Sequence, residues 1–325
     1  MSDPQTHTAD GNASRPTVSV ICTVRNEVGS IRHLVLGVME GSYPPDEFVI
    51  ADAGSTDGTR EELDRLASEH RRVRLLDVPG NRSLGRNAAI AAARGDVIAC
   101  IDGGCIPARD WLGELVAPFS DGAEWVGGFY RPSSDSVRSV CIGLTMVFVL
   151  EEAMAGGFIP SARSMAFSKA AWGRVGGFPE DLEVSEDTAF DEAMSEAGFE
   201  LVFRPEAIVE WVPPRTFREQ ARVQWTWSRS DGLADIRSFA YVRTLGFVAV
   251  SGSAVVAIAL LDARFAVLGL LPFVALMWRQ TRRKYRWTKG VAKFLWIPCA
   301  WLVGLVSSSA GFLAGRLRRS LRSHH

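Results

Sequence analysis

The sequence predicts an α/β body built on a mixed, mainly parallel sheet with flanking helices, followed by C-terminal transmembrane helices. Three observations carry this reading. From Thr17 onward, short β-branched runs alternate with longer helical segments. Charge is divided along the chain: of 36 Lys+Arg, 13 lie in residues 241–325, and of 37 Asp+Glu only Asp262 does, so the tail carries +12 against −13 for the rest. Within that tail, residues 245–261 and 294–315 contain no charge at all. With 325 residues, 47% apolar and 22% charged, the chain can bury a sizeable core, which excludes disordered, collagen-like and disulfide-scaffold classes.

Taken in order, 17–24 (TVSVICTV) is a buried strand, 30–40 a helix with one apolar face, and 47–52 (EFVIAD) a second strand. The turn-rich AGSTDGT then opens a helix reaching about His70, with Thr59 and Glu62 at the spacing of a capping box. A third strand covers 73–78, a helix 85–95 and a fourth strand 96–102. Helices of this length between strands imply parallel βαβ crossovers, and ligands gather at the carboxyl ends of such strands. Asn26 and Glu27, Asp52 and Asp102 lie at those ends.

Residues 294–315 are long enough to cross a ~30 Å hydrocarbon core at ~1.5 Å per residue, 245–261 are near the lower limit, and 265–278 are short. Basic clusters follow at Arg279–Lys293 and Arg316–Arg322. Positive charge favours the cytoplasmic side, yet these clusters flank one apparent span, so one cluster breaks the rule or one segment does not cross; two or three hydrophobic helices are expected. Residues 1–16 are polar, as a disordered tail would be, and lack a secretory signal's apolar run, so the body is expected in the cytoplasm at the cell membrane. Five scattered cysteines without CxxC spacing suggest reduced thiols.

No GxGxxG follows the first strand and no GxxxxGK[ST] occurs, so the usual dinucleotide and P-loop phosphate cradles are missing. The five histidines (7, 33, 70, 324, 325) avoid the strand-end loops, and His33 reads as a helix-face residue. Acid–base work therefore falls to carboxylates.

Five blocks, 19–27 (SVICTVRNE), 51–59 (ADAGSTDGT), 85–105, 160–182 and 185–207 (SEDTAFDEAMSEAGFELVFRPEA), resemble in order and spacing the family 2 glycosyltransferases with the GT-A fold. The resemblance covers roughly 17–230 and is strongest to membrane-associated bacterial enzymes of exopolysaccharide and glycolipid assembly, of the succinoglycan type. It implies nucleotide contacts at Thr23 and Glu27, nucleobase recognition by Asp52, and a phosphate or base contact at Arg86, whose fork of donors suits either. The family's DxD motif holds a divalent cation, Mg or Mn, on the diphosphate; here it reads Asp102-Gly103-Gly104, so Asp102 remains as metal ligand and the second carboxylate is missing. Cys105 is expected to pack. The family's ED motif falls on Glu186 and Asp187, making Asp187 the general base and Glu186 an orienting group at the start of a helix over 186–197. The QxxRW element of processive synthases is absent from 218–232, which favours transfer of a single sugar; Trp225 and Trp227 either stack on a sugar or pack.

These readings converge on a domain over 17–235 that moves one sugar, with inversion, from a nucleotide-diphosphate sugar to a lipid-linked or glycan acceptor at the membrane, with no nucleic acid partner. Residues 236–325 form the membrane-associated region. The rivals are a nucleotidyltransferase of related architecture and an inactive nucleotide-sugar-binding or assembly protein.

Overall fold

The structure, a computed structural model, describes residues 15–156 and 158–322. Most of the expected N-terminal tail, with His7, His324 and His325, lies outside them. Arg15 is described: its guanidinium lies 3.7 Å from the centroid of the Tyr43 ring and donates to Pro44 O.

The elements run β1 (Val18–Val24), α1 (Ile31–Met39), β2 (Glu47–Asp52), α2 (Thr59–Glu69), β3 (Val73–Asp77), α3 (Arg82–Ala92), β4 (Val97–Cys100), β5 (Cys105–Pro107), α4 (Trp111–Val116), β6 (Trp125–Pro132), α5 (Val137–Met146), α6 (Leu150–Ala153), β7 (Met165–Ser168), α7 (Lys169–Val175), α8 (Glu186–Glu196), β8 (Leu201–Trp211), α9 (Phe217–Ala234), α10 (Ser238–Leu261), α11 (Leu271–Thr281) and α12 (Lys293–Arg322). One eight-stranded sheet has the order β3-β2-β1-β4-β7-β6-β8-β5. Its first four strands are parallel, β7 is antiparallel to both neighbours, and β5 closes antiparallel on β8. Alternation along β1 feeds two cores: Val18, Val20 and Cys22 face α1, α2 and α4, while Ile21 joins α3, α7 and α8 on the other side.

Parallel pairing puts Val24 beside Asp52 and Ile21 beside Cys100, so the loops after β1, β2 and β4 open on one edge. Two local expectations are revised. Helix α3 begins at Arg82, three residues earlier than the periodicity suggested, because Asn81 caps it by accepting from Leu84 N–H at 3.0 Å. No capping box forms at Thr59: the cap is Gly58, in the left-handed region at φ 100°. Thr59 Oγ1 instead accepts from Glu27 N–H (2.7 Å), and Glu62 pairs with Arg32 (2.7 Å), fastening the loop after β1 to α2 and α1 to α2.

In the tail, Ser238–Leu261 (mean hydropathy 2.2) and Lys293–Leu321 (1.6) are long and apolar enough to cross a membrane, but they sit differently: 6% of the first apolar window is buried against 33% of the second. Helix α12 runs alongside α9 in the same direction, from Trp296 against Phe217 to Arg316 against Asp235. Small residues allow the close approach: a Cβ on Gly311 would meet Trp225 O at 2.6 Å, and one on Gly315 would meet Arg229 O at 2.2 Å. Helix α10 instead pairs with the 3-10 segment Ala263–Leu270 that folds back on it, where a Cβ on Gly269 would lie 2.6 Å from Val255 Cα.

Candidate active site

Strand β4 ends at Cys100, and two residues later Asp102 turns its carboxylate toward α3 and α8. Arg86, fully inside α3 and 2% exposed, reaches both: one nitrogen donates to Asp102 Oδ1 at 2.7 Å and the other to Glu186 Oε1 at 2.5 Å. The guanidinium anticipated at a phosphate or base is thus committed to two carboxylates. Burial alone would raise the pKa of Asp102, but the charge of Arg86, then those of Arg163 and Arg82, outweighs it and holds the carboxyl below its usual range. Glu186 is 3% exposed and is held against Arg86.

Asp187, the next residue, stands in the first turn of α8, where the helix's positive end favours a carboxylate. Its Oδ2 accepts from Ser161 Oγ–H at 3.1 Å and its Oδ1 from Thr188 N–H at 2.9 Å. Ser161 in turn accepts from Arg163 at 3.1 Å. The Arg163 guanidinium lies over the rings of Trp211, Tyr130 and Trp227 at 5.1, 5.4 and 5.9 Å. Arg163 and Ser161 were not singled out from the sequence, although both fall inside the 160–182 block; nothing in their local spacing marks them. One turn beyond Asp187, Asp191 is 5% exposed with both oxygens unpartnered among the described residues, and burial, then the charge of Asp187, pushes its carboxyl well above the usual range.

Asp102, Glu186 and Asp187 line one cavity of about 610 Å³ with Arg82, Arg163 and Trp227. Its far wall is the tail: Tyr241 and Thr244 of α10, Gln280 of α11, and Gly304 and Ser308 of α12. Trp227 therefore faces the site, whereas Trp225 is outside the lining and 41% exposed. Thr23, Glu27 and Asp52 are not in that lining. Asp52, 3% exposed, accepts from Ser55 Oγ–H (2.5 Å) and Ser55 N–H (3.2 Å), closing its own turn; the Thr23 methyl packs where a Cβ on Gly85 would be.

Glu27 packs against the residues that follow Asp102. Gly104 has φ +75°, and a Cβ there would lie 3.3 Å from Glu27 Oε2; a Cβ on Gly103 would lie 3.2 Å from Glu27 Cγ. The Glu27 side chain thus rests on the two glycines that follow Asp102, where a second motif carboxylate would start. Arg86 engages only Oδ1 of Asp102, and Ser30 only Oε2 of Glu27. One oxygen remains on each, a donor type that suits Mg²⁺ or Mn²⁺ once phosphate and water complete the shell. Among the described residues no group of three or more His, Cys, Asp or Glu is placed to hold a metal ion. Cys105 is 2% exposed with its thiol pushed up to about 12, first by burial, and so packs rather than ligates.

Residues 19–140 match the model of Glycosyl transferase family 2. The chain carries a family 2 glycosyltransferase domain. Glycosyltransferase AglE of Haloferax volcanii is 26% identical over 218 residues, 65% of this chain and 71% of that protein. The pre-mycofactocin glycosyltransferase of Mycobacterium tuberculosis is 26% identical over 226 residues, 63% of this chain but 46% of that protein, so this chain spans less than half of that relative's length. In fold, the family 2 domain and its tail superpose on a mannosyltransferase from Pyrobaculum calidifontis, solved in complex with GDP-Man and Mn2+, with a TM-score of 0.60 at 22% identity over 91% of this chain and 88% of that one. The GT-A architecture is therefore that of this chain.

Proposed function

We propose that this chain transfers a single sugar, with inversion, from a nucleotide-diphosphate sugar to a lipid-linked or polysaccharide-precursor acceptor at the cytoplasmic face of a membrane. The observation that supports this best is the shared cavity, in which Asp102, Glu186 and Asp187 stand opposite a wall of apolar tail helices.

Asp187 is the general base. As the acceptor oxygen attacks the anomeric carbon from the face opposite the leaving group, the carboxylate takes the hydroxyl proton, the C–O bond to the diphosphate breaks, and nucleoside diphosphate departs. Ser161 and Thr188 N–H fix the carboxylate's direction without blocking it. Glu186 is a positioning residue, because Arg86 binds it to Asp102 and thereby couples the start of α8 to the end of β4. Of the cations that line the cavity, Arg82, Arg163, Arg237 and Lys284, the first two also act on the charge of Asp102 and are the candidates for the diphosphate. A divalent cation, when bound, neutralises charge on the leaving group, and Asp102 with Glu27 would hold it. Trp227 offers a ring face to a sugar.

Asp187→Asn is expected to keep donor binding and the fold while lowering turnover at least ~100-fold, the usual range for a lost general base; parental turnover in that variant refutes the assignment. Detergent-purified protein incubated with a panel of nucleotide sugars and membrane lipids should release nucleoside diphosphate in step with a glycosylated product of inverted anomeric configuration, read by mass spectrometry and NMR. Pyrophosphate release would identify a nucleotidyltransferase, and binding without turnover an inactive binding protein.

A further inference from the structure

Length and composition single out α10 and α12 as spans, yet packing separates them. Helix α10 leaves the body at Arg237, with Tyr241 donating to Asp231 at 2.7 Å; along it only Ser251 is buried, and Leu260 and Leu261 at its end are 82% and 88% exposed. The chain then turns at residues 262–264 and returns along α10 through Gly269 to α11. The returning limb ends back on the body: Arg283 donates to Glu151 O at 3.0 Å, and Lys284 to Val147 O at 3.0 Å and to Glu152 at 2.9 Å. Both feet of this hairpin therefore stand on the catalytic body.

Helix α12 is seated on α9, their backbones approaching closely at Gly311 and Gly315. Helix α9 carries exposed Arg218, Glu219 and Arg222, whose transfer into hydrocarbon would cost several kcal/mol. Yet α12 shows an exposed stripe, Leu295, Leu302, Val306, Leu313 and Leu317, at spacings of seven and four that keep to one helical face. Its last turns bring Arg316 and Arg319 to Asp235, at the end of α9.

We propose that the chain crosses the bilayer twice through the hairpin 238–281, and that α12 lies in the headgroup plane of the leaflet on the catalytic side with its leucine stripe in the acyl boundary. This rests on the membrane-associated reading above and deepens it. It places the basic clusters at Arg279–Lys293 and Arg316–Arg319 on one side, against anionic headgroups, and removes the conflict that a spanning α12 creates. The turn that begins at Asp262 then reaches the polar zone of the far leaflet.

Single cysteines are introduced as Lys289→Cys, Arg318→Cys, Asp262→Cys and the body reference Arg109→Cys, in a background where Cys299 is Ser and the four buried thiols remain. A membrane-impermeant maleimide is applied to sealed vesicles of known orientation. Positions 289 and 318 are expected to label from the same face as 109, and position 262 from the other. Labelling of 318 from the face opposite 289, or protection of both until detergent is added, overturns the arrangement. Should a cysteine variant misfold, a reporter inserted after Lys289 is compared with one fused to the C-terminal end of the parent: both on one side support the arrangement, and opposite sides refute it. Sidedness is independent of turnover, so an inactive protein leaves this result intact.

Discussion

Arg86 illustrates how burial redirects chemistry: a guanidinium with 2% exposure that bridges two carboxylates exerts its charge first on Asp102 and Glu186. Glu27 is the converse, a carboxylate with no Lys or Arg partner among the described residues, resting on Gly103 and Gly104. Glu27→Ala is expected to weaken Mn²⁺ binding to the nucleoside diphosphate complex about tenfold or more, and Gly104→Asp added to it to restore affinity, since Asp tolerates the left-handed backbone better than most residues. Paramagnetic resonance of free Mn²⁺ reads this without turnover; unchanged affinity in Glu27→Ala removes Glu27 from the site. Asp191 offers a pH test. Burial first, then Asp187, raises its folded pKa above the unfolded value near 3.9, so the folded state keeps the proton longer and stability falls as pH rises from about 4 toward the folded value. Asp191→Asn should therefore stabilise the protein at pH 7 and flatten that decline. A thermal midpoint at pH 7 equal to the parent's would contradict it.

At the scale of elements, β1 to β4 and their helices were legible because each crossover shows both periodicities, strand and helix, in a run long enough to read. Beyond Asp102 the pattern fails for physical reasons: β5 and β7 have only three and four residues, and β6 holds Gly127-Gly128 beside a register shift against β8. Asp102, Glu186 and Asp187 could be found from the spacing of blocks, whereas Ser161, Arg163 and Asp191 gain their roles only when β7's approach loop and α8 meet across the sheet. The same holds for α9 and α12, whose small residues are inconspicuous in sequence but decisive in packing. Gly315→Val puts a branched side chain into the Arg229 carbonyl and is expected to part the helices, at a cost of about 1–3 kcal/mol from overpacking. Hydrogen exchange in α12 should rise while β1–β4 keep their protection. Gly246→Ala on α10, with nothing within 4 Å, is the control and should be neutral or slightly stabilising. Equal exchange in both variants would show that the glycine contact does not hold α12.

For the molecule as a whole, the tail is packed into the structure of the body and walls its cavity. The body alone, residues 1–237, contains Asp102, Glu186, Asp187 and Arg163, yet its cavity lacks the wall supplied by Tyr241, Gln280, Gly304 and Ser308. Truncation also uncovers the face of α9 on which Gln220 and Ser228, now 0% and 1% exposed, are buried; Gln220 would lose its bond to Ala300 O at 2.8 Å. Helix α5 would lose its packing against α12 as well, and Asp235 both of its arginines. These losses fall on one side of a single body of some 220 residues, where each 1 kcal/mol moves the midpoint by roughly 2–4 °C. A fall of about 10 °C or more is therefore expected for the truncated protein, with association through the bared face of α9 visible by size-exclusion chromatography. Excising only the hairpin, with Arg237 joined to Arg282 through a short flexible linker, keeps α12 on α9 and should cost much less. A monomeric 1–237 with the full-length midpoint and undiminished donor hydrolysis would show that the catalytic body ends before the tail. If the hairpin deletion keeps a midpoint near that of the full chain and the truncation does not, α12, and not the hairpin, completes the body.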